Sequence, residues 1–235
     1  TVVEKPTGNL SLGAGYSSAE QLTLSASIQQ ENVFGSGHYL GLNINTGKSN
    51  RTIAVSTVDP YWTVDGVSRA FDIYYRNTSP LNTYGDSYQL TTFGGAVRFG
   101  IPFTEIDTVF LGVGYEQTHI GDDTFLPNSY FLYRQEYGPT SYSFPLTLTW
   151  SRDARNSAIF PTQGRFYRVN GEISALGDLQ FARLNLQGQQ YLELPYNLSL
   201  GLNAEVGWGF AIGPRPYPVF KNFYSGGLGS VRVFQ

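Results

Sequence analysis

Hydrophobic and polar residues alternate with a period of two along most of the chain. In the segment 21–29, the apolar residues Leu22, Leu24, Ala26 and Ile28 alternate with Gln, Thr and Ser. A period of two is the repeat of a β-strand, whose successive side chains point to opposite faces. In 142–150 and 198–208 the alternation persists for about 10 residues, enough for a tilted strand to cross a bilayer. The pattern therefore predicts membrane-spanning strands, because most soluble strands have only about 5 to 6 residues.

The alternation predicts about eleven strands, joined by turns of two kinds. The predicted strands are 9–16, 21–29, 38–45, 51–57, 69–75, 88–99, 108–116, 142–150, 166–174, 181–191 and 198–210. Turn-rich connections at 35–37, 59–67, 101–106, 153–164 and 195–197 fall on one side, which we assign to the periplasm. Connections 46–49, 77–86 and 119–140, with the tail from 211, fall on the other side and suit extracellular loops. We predict an all-β fold, an antiparallel transmembrane β-barrel.

Away from strand ends, charged residues within the predicted strands keep almost entirely to the polar face. A charge facing lipid near the midplane costs roughly 2 to 4 kcal/mol. The charged residues on the polar face are Asp72, Arg168, Glu172, Arg183 and Glu205. Aromatic residues near strand ends on the apolar face are predicted to form membrane-interface girdles; they are Tyr16, Tyr75, Tyr115, Trp150, Tyr167, Trp208 and Phe210. A soluble β-sandwich is the alternative, and strand length and interior charge disfavour it.

Composition narrows the function classes. Charged residues make up 14% of the chain, against about 25% in soluble proteins, so something other than water is expected to cover part of the surface. No apolar run approaches the roughly 20 residues of a transmembrane helix. A net charge of -3 without a basic cluster argues against nucleic-acid binding. There is no cysteine, so disulfides, zinc-thiolate sites and thiol nucleophiles are excluded.

The sequence also lacks the residue patterns of common catalytic sites. His38 and His119 are the only histidines, each is expected at a barrel end, and no GxSxG motif occurs. Gly227-Leu228-Gly229 is followed by Arg232 where a dinucleotide-binding loop requires glycine. The pair Asp122-Asp123 offers too few ligands for a cation. We predict that the protein is not an enzyme and holds no metal or cofactor.

Several short motifs recur in order along the chain. They are Val3-Glu4 before Thr7-Gly8, Gly15-Tyr16, Gln29-Gln30 with Asn32, Gly35-Ser36-Gly37, Asp59-Pro60-Tyr61 with Val64-Asp65-Gly66-Val67-Ser68, Phe160-Pro161-Thr162-Gln163-Gly164, Phe223-Tyr224-Ser225-Gly226-Gly227 and Val231-Arg232-Val233-Phe234. Together they resemble the motifs of the BamA family of outer-membrane protein assembly factors, the bacterial surface antigen barrel. The DPYWTVDG and FPTQG turns together favour this family over two-partner-secretion transporters and TamA-like proteins.

This resemblance covers essentially all 235 residues and implies the first two-thirds or so of a sixteen-stranded barrel. Residues 1–235 are then a partial outer-membrane barrel domain, with the POTRA domains and the last strands absent. An odd strand count agrees, because bacterial single-chain barrels have even numbers of strands and must close. Residues 1–8 also lack a signal segment, so export is expected to be directed by residues outside this sequence.

The resemblance implies a function at the cell outer membrane of a Gram-negative bacterium. The parent protein would fold and insert client β-barrel proteins without ATP. Its expected partners are membrane lipids, unfolded outer-membrane client proteins and assembly lipoproteins bound through POTRA domains. A passive porin, or a two-partner-secretion transport channel of the same superfamily, is the alternative.

The first predicted strand is a candidate lateral seam. Its residues are Asn9, Leu10, Ser11, Leu12, Gly13, Ala14, Gly15 and Tyr16. Glycine within a strand weakens its pairing, and an edge that opens can pair with an incoming client strand through main-chain hydrogen bonds. The inward Gly13 and Gly15 serve tight packing equally well. Both interpretations remain open on the sequence.

The segment Val231-Arg232-Val233-Phe234 resembles the family's VRGF element on the sixth extracellular loop, which folds back into the barrel lumen. The resemblance implies that Arg232 anchors this loop by pairing with a carboxylate inside the barrel. A solvated loop arginine is the alternative. Val233 stands where the family has glycine, and a β-branched residue does not readily take the positive φ that glycine permits.

Overall fold

The computed structural model describes residues 7–17, 21–79, 88–121, 126–196 and 198–223. Eleven strands form one antiparallel sheet, in which each strand pairs with its neighbours in sequence. They are β1 (Gly8–Ser17), β2 (Gln21–Gln30), β3 (Tyr39–Thr46), β4 (Asn50–Asp59), β5 (Ser68–Thr78), β6 (Leu90–Pro102), β7 (Asp107–Ile120), β8 (Thr140–Asp153), β9 (Gly164–Gly177), β10 (Phe181–Leu194) and β11 (Leu198–Ala211). The eleven predicted strands are confirmed. Because the sheet is single, the sandwich alternative is wrong.

The ladder keeps polar residues on one face of the whole sheet. Glu172 of β9 lies opposite Thr147 of β8 and Arg183 of β10. Likewise Asp72 of β5 lies opposite Ser56 and Ala96. Since every rung alternates, the apolar residues share the other face. Half or more of each side chain is exposed at Leu12, Ile73, Val113, Leu146 and Val206. The sheet therefore has the predicted apolar outer face and polar inner face.

Most strands extend beyond their predicted bounds. The alternation predicts 142–150 for the eighth strand, whereas β8 runs from Thr140 to Asp153. Backbone N–H and C=O groups continue the ladder where the side chains no longer alternate. A register shift between Ser143 and Pro145 interrupts the pairing of β8 with β9. Proline has no N–H to donate to the ladder, so an irregularity at this point is expected.

Five turns at one end join β2 to β3, β4 to β5, β6 to β7, β8 to β9 and β10 to β11. In the DPYWTVDG turn, Gly66 has φ +80 and its N–H donates to the Thr63 carbonyl over 3.1 Å. In the FPTQG turn, Gly164 has φ +110, and a Cβ there would collide with the backbone of Ala154. Glycine alone takes both conformations without strain. The two motifs therefore encode turn geometry.

The long connection predicted as an irregular loop at 119–140 contains a helix, α1 (Asn128–Tyr137). Pro127 precedes the helix, and Gly138, with φ +86, ends it. Helix α1 was not predicted, because the exposed Phe131 and Leu132 mask the helical spacing of Tyr130, Tyr133 and Tyr137. In the described part of the chain, no helix has the length and apolar content needed to cross a bilayer.

A small hydrophobic core closes the end of the sheet opposite the five turns. Its buried members are Ile120, Tyr130, Tyr133, Leu179 and Phe181, with Tyr88, Leu90, Leu126, Tyr137, Tyr217, Val219 and Phe220 packed around them. These residues come from α1, the nearby ends of β6, β7 and β10, the loops before β6 and α1, the β9–β10 turn and the chain that follows β11. The core thus joins loop elements to the barrel wall.

Candidate functional site in the barrel lumen

Residues 212–223, which we call the lumen segment, leave β11 and return across its inner face. The sequence analysis assigned this tail to an extracellular loop. The Tyr217 ring lies against Gly209, where a Cβ would come within 2.6 Å of it, and the Phe223 ring covers Gly207 in the same way at 2.5 Å. Both glycines thus make room for an aromatic ring on the polar face of β11. The described part of the tail therefore lies against the inner face of the sheet. The family resemblance placed the motif Val231-Arg232-Val233-Phe234 on the same side.

Lys221 fixes the lumen segment to the barrel wall by charge. Its Nζ lies 2.6 Å from Glu116 Oε1 on β7 and 3.5 Å from Glu172 Oε1 on β9. Each of the three side chains is only 14% exposed. At this burial an ion pair is screened less than on the surface. One cation therefore bridges two carboxylates, on the strands that flank β8.

Two further residues complete what we call the Lys221 cluster. The Tyr74 hydroxyl donates to Glu116 Oε2 over 2.9 Å. Arg183 Nε lies 3.9 Å from Glu172 Oε2, and the Arg183 guanidinium sits 4.7 Å from the centre of the Phe223 ring. Strands β5, β7, β9 and β10 each supply one of these groups. The cluster consequently couples distant parts of the sheet to one loop residue.

A second contact holds the start of the lumen segment to the mouth of the sheet. Arg215 Nη2 lies 3.0 Å from Asp178 Oδ1, and the guanidinium stacks 5.4 Å from the Tyr137 ring centre of α1. Burial raises the pKa of both Tyr133 and Tyr217. Because both shifts favour the neutral phenol, these rings stay uncharged in the apolar core at neutral pH.

The strand predicted at 9–16 is confirmed as β1, all ten of whose residues pair with β2; its role as a lateral seam stays a prediction. Leu10, Leu12 and Tyr16 face outward and are exposed. A Cβ on Gly13 would meet the hydroxyl of Ser25, whereas nothing lies within 4 Å of one on Gly15. Gly13 thus has a packing reason and Gly15 has none. No described strand pairs with the other edge of β1.

The predicted turn motif Asp59, Pro60, Tyr61, Asp65 and Gly66 lies together at the turn end. Asp59 ends β4 and accepts the Tyr61 N–H over 3.2 Å. Its carboxylate also lies 3.7 Å from Arg69 Nη2 and 3.6 Å from His38 Nε2. These contacts give His38 a structural explanation. The motif shapes a corner and touches no residue of the lumen site.

The remaining candidate residues either make structural contacts or lie outside the described residues. His119 lies near the end of β7, with its Nδ1 2.8 Å from Thr140 Oγ1. Val231, Arg232, Val233 and Phe234, like Asp122 and Asp123, lie outside the described residues. Across the residues that the structure describes, no group of three or more His, Asp or Glu side chains is placed to hold a metal ion.

Sequence reasoning identified one half of the lumen site and missed the other. Alternation placed Glu172 and Arg183 on the inner face, and the structure puts both in the cluster. Lys221 was missed, because a residue in a tail has no strand parity to report its direction. The available signal was its position between the aromatic residues Phe220 and Phe223 in a charge-poor stretch.

Comparison with known proteins agrees with this architecture. The family model described as the Omp85 superfamily domain matches residues 32–235. The outer membrane protein assembly factor BamA of Neisseria meningitidis is 33% identical over 247 residues, which cover 100% of this chain and 31% of the relative. The BamA of Nitratidesulfovibrio vulgaris is 30% identical, covering 99% of this chain and 29% of the relative. The chain thus spans about a third of these relatives.

A solved structure gives the same fold. The crystal structure of BamA from Haemophilus ducreyi lacking POTRA domains 1–3 superposes with a TM-score of 0.86, covering 97% of this chain and 46% of that chain. At 24% sequence identity this match speaks for the fold alone. The resemblance to BamA barrels that the turn motifs suggested is confirmed by these relatives and this structure.

Proposed function

Because the chain belongs to the Omp85 superfamily, we propose that it is the barrel of an outer-membrane protein assembly factor, which folds and inserts client β-barrel proteins. The chain is a β-barrel segment of the outer membrane, and two relatives that match nearly all of it carry the name of such a factor. The proposal assigns binding and guidance of unfolded chains to this protein and no covalent chemistry.

The lumen segment is the observation that carries the proposal against a passive porin. A porin needs an open water-filled interior, whereas here residues 212–223 occupy the inner face and are held by buried charges. The hydrophobic core around α1 narrows the interior at the end of the sheet opposite the five turns. A barrel whose interior is filled in this way conducts ions poorly. A client strand can then leave only through the barrel wall.

Client insertion tests the proposal directly. The full-length parent protein is reconstituted in liposomes, and folding of a small unfolded barrel is followed by its heat-modifiable gel mobility. We expect faster folding than in empty liposomes, together with weak or erratic ion conductance. No acceleration combined with steady conductance would support the porin or secretion channel and refute the assembly function.

We further propose that β1 forms the seam at which a client strand pairs. Two glycines within the strand, Gly13 and Gly15, and the open space at Gly15 support this. Photo-crosslinkers at Leu10, Leu12 and Ala14 of the full-length protein are expected to capture a stalled client. The same probe at Ile73, which faces outward on β5, is the control. Equal capture at both places would refute the seam.

The proposed function also includes binding partners. We propose that the outward apolar face contacts membrane lipids, and that the parent protein carries POTRA domains through which assembly lipoproteins bind. Pull-down of lipoproteins by the full-length protein, but not by the barrel alone, is the expected result. Equal recovery by both forms would contradict the POTRA assignment.

Arg232 is proposed as a second anchor of the chain that follows the lumen segment. An Arg232→Ala change in the full-length protein is expected to lower both client insertion and the temperature at which the barrel unfolds on a gel. Arg232→Lys, which keeps the charge but lacks the bidentate geometry of a guanidinium, should recover only part of this loss. Unchanged insertion and stability in Arg232→Ala would identify a solvated arginine.

A further inference from the structure

Large apolar side chains stand at the tips of all five turns at one end of the sheet. Phe34 and Val64 are fully exposed, at 104% and 101%, and Tyr196 is 94% exposed. At least two-thirds of the side chain is also exposed at Tyr61, Phe103, Ile159 and Phe160. At the opposite end, Leu179 of the short β9–β10 turn is buried in the core. Isolated exposed apolar residues are ordinary, but one at every turn of one rim indicates an interaction surface.

Two of these aromatic residues have strained backbone conformations. Phe34 and Tyr196 have φ values of +51 and +68, a region that non-glycine residues rarely occupy. Around Phe34, the Gly37 N–H donates to Asn32 Oδ1 over 2.6 Å and the Val33 N–H donates to the His38 carbonyl over 3.0 Å. Hydrogen bonds thus brace the turn, while its aromatic tip stands fully exposed. Strain maintained at an exposed residue is a sign of function.

The tips continue the lipid-facing surface of the barrel. Trp62 of the β4–β5 turn packs against the outward Phe99 of β6, with ring centres 5.1 Å apart. Arg69 lies over both Trp62 and the outward Phe71, at 5.3 and 5.2 Å from the ring centres. Apolar contacts thus continue from the strands onto the turn, with the Arg69 guanidinium lying over the rings. Aromatic residues with one wet edge are typical of the membrane interface.

Paired charges lie at the boundary between the strands and these tips. Arg69 Nη2 lies 3.7 Å from Asp59, and Arg152 Nη1 lies 3.8 Å from Asp107. By strand register both pairs occupy outward positions on the last rungs. Each pair offers a cation and an anion side by side. This complements a zwitterionic phospholipid headgroup, which carries a phosphate and an ammonium group.

We propose that the turn tips form a membrane anchor, which inserts into the headgroup layer of the phospholipid leaflet on that side of the barrel. Residues Phe34, Tyr61, Val64, Phe103, Ile159, Phe160 and Tyr196 make up the anchor. The Arg69–Asp59 and Arg152–Asp107 pairs lie at the level of the headgroups. The inference rests on the proposed function in one respect. The proposed function sets the orientation of the barrel, which makes this leaflet the periplasmic one.

Spin-label depth measurements test the anchor. Because the 235 residues contain no cysteine, single cysteines at Phe34, Val64 and Tyr196 take a nitroxide without competing sites in the barrel. The labels are placed in the full-length protein, with any cysteine outside the barrel changed to serine, in vesicles of phosphatidylethanolamine and phosphatidylglycerol. Collision with oxygen, which partitions into lipid, is compared with collision with a water-soluble nickel chelate. Lys48, exposed in the β3–β4 turn at the opposite end, is the control.

We expect the ratio of oxygen to nickel accessibility to be at least threefold higher at the three tips than at Lys48. A ratio equal to that of Lys48 would place the tips in water and overturn the proposal. Low accessibility to both reagents would mean that a protein domain covers the tips, which also overturns it. Client insertion, measured on the same vesicles with unlabelled protein, reports separately on the assembly function. Lipid-embedded tips without insertion would leave the anchor standing and refute only the function.

Discussion

Lys221 lies where two carboxylates on strands that are not neighbours would otherwise repel each other. Glu116 and Glu172 are separated in the sheet by β8, and the lysine ammonium bridges them. Removing one partner of a buried charge group costs more than the interaction itself contributes, because the remaining charge is left unpaired. Lys221 is therefore the residue at which the lumen segment is most sensitive to substitution.

Replacing Lys221 with methionine is expected to release the lumen segment. The change keeps the length of the side chain but leaves Glu116 without its lysine and Glu172 with only the more distant Arg183, and loss of one charged hydrogen bond costs roughly 1.5 to 3 kcal/mol. We expect a lower unfolding temperature on heat-modifiability gels and larger channel currents. Lys221→Arg retains the charge and is the control. Equal behaviour of the two variants would argue against an electrostatic anchor.

Gly209 gives a steric test of the same contact. An alanine there would place its Cβ within 2.6 Å of the Tyr217 ring, and overpacking of this kind costs about 1 to 3 kcal/mol. Gly209→Ala is expected to lower the gel unfolding temperature. Gly171→Ala, where a Cβ would meet nothing closer than 3.8 Å, should leave it unchanged. A Tyr217→Ala background should remove the effect of Gly209→Ala.

At the level of elements, α1 is a loop helix that depends on tertiary contacts. It has ten residues, and an isolated helix of this length is marginal in water. Tyr130 stacks on Tyr88 with ring centres 4.5 Å apart, and Tyr133 meets Phe220 at 6.1 Å. The helix thus packs on the lumen segment as well as on the wall. The two elements are expected to open together.

Proteolysis distinguishes the packed face of α1 from its exposed face. Tyr133→Ala removes a buried ring, a change that costs roughly 3 kcal/mol in a packed core, and is expected to speed cleavage within residues 126–139. Phe131→Ala alters a neighbouring ring that is largely exposed and serves as the control. Limited digestion of intact vesicles, read by mass spectrometry, gives both rates. Similar rates would place α1 outside the core.

The strands were predictable as elements, although their ends were not. Alternation fixed the existence and the facing of β8, because a one-residue slip would move every side chain to the wrong face. It did not fix the extension to Asp153, since the last rungs carry the mixed residues Ser151 and Arg152. Helix α1 was not predicted, because Phe131 and Leu132 mask the spacing of its packed residues, whose partners Tyr88 and Phe220 are distant in sequence.

At the scale of the whole molecule, the sheet separates two solvents. The outward face carries exposed leucine, valine and aromatic side chains, whereas ion pairs such as Arg98–Asp72, at 2.7 Å, lie on the inner face. Lipid cannot hydrogen-bond a charge, so the cost of misplacing one depends on the face and not on the strand. This makes the facing of each residue testable by a single substitution.

Arginine on the two faces of β8 should have opposite consequences. Leu146→Arg puts a charge on the exposed apolar face and is expected to cost roughly 2 to 4 kcal/mol near the midplane. Thr147→Arg puts the same charge on the inner face, opposite Glu172, where water and a carboxylate receive it. We expect the amount of heat-modifiable barrel in the outer membrane to fall only for Leu146→Arg. A similar fall for both variants would contradict the assigned facing.

The sequence by itself determined the strand number, the facing of each strand residue and the two glycine turns. These features follow from local rules, namely the period of two and the positive φ at Gly66 and Gly164. Tertiary structure alone decided where the tail goes, because the position of Lys221 depends on Glu116 and Glu172, which are 105 and 49 residues away in the chain. It also decided that the apolar side chains at the tips of the five turns stand exposed. Contacts between distant segments leave no periodic trace in the sequence, so only the folded chain reveals them.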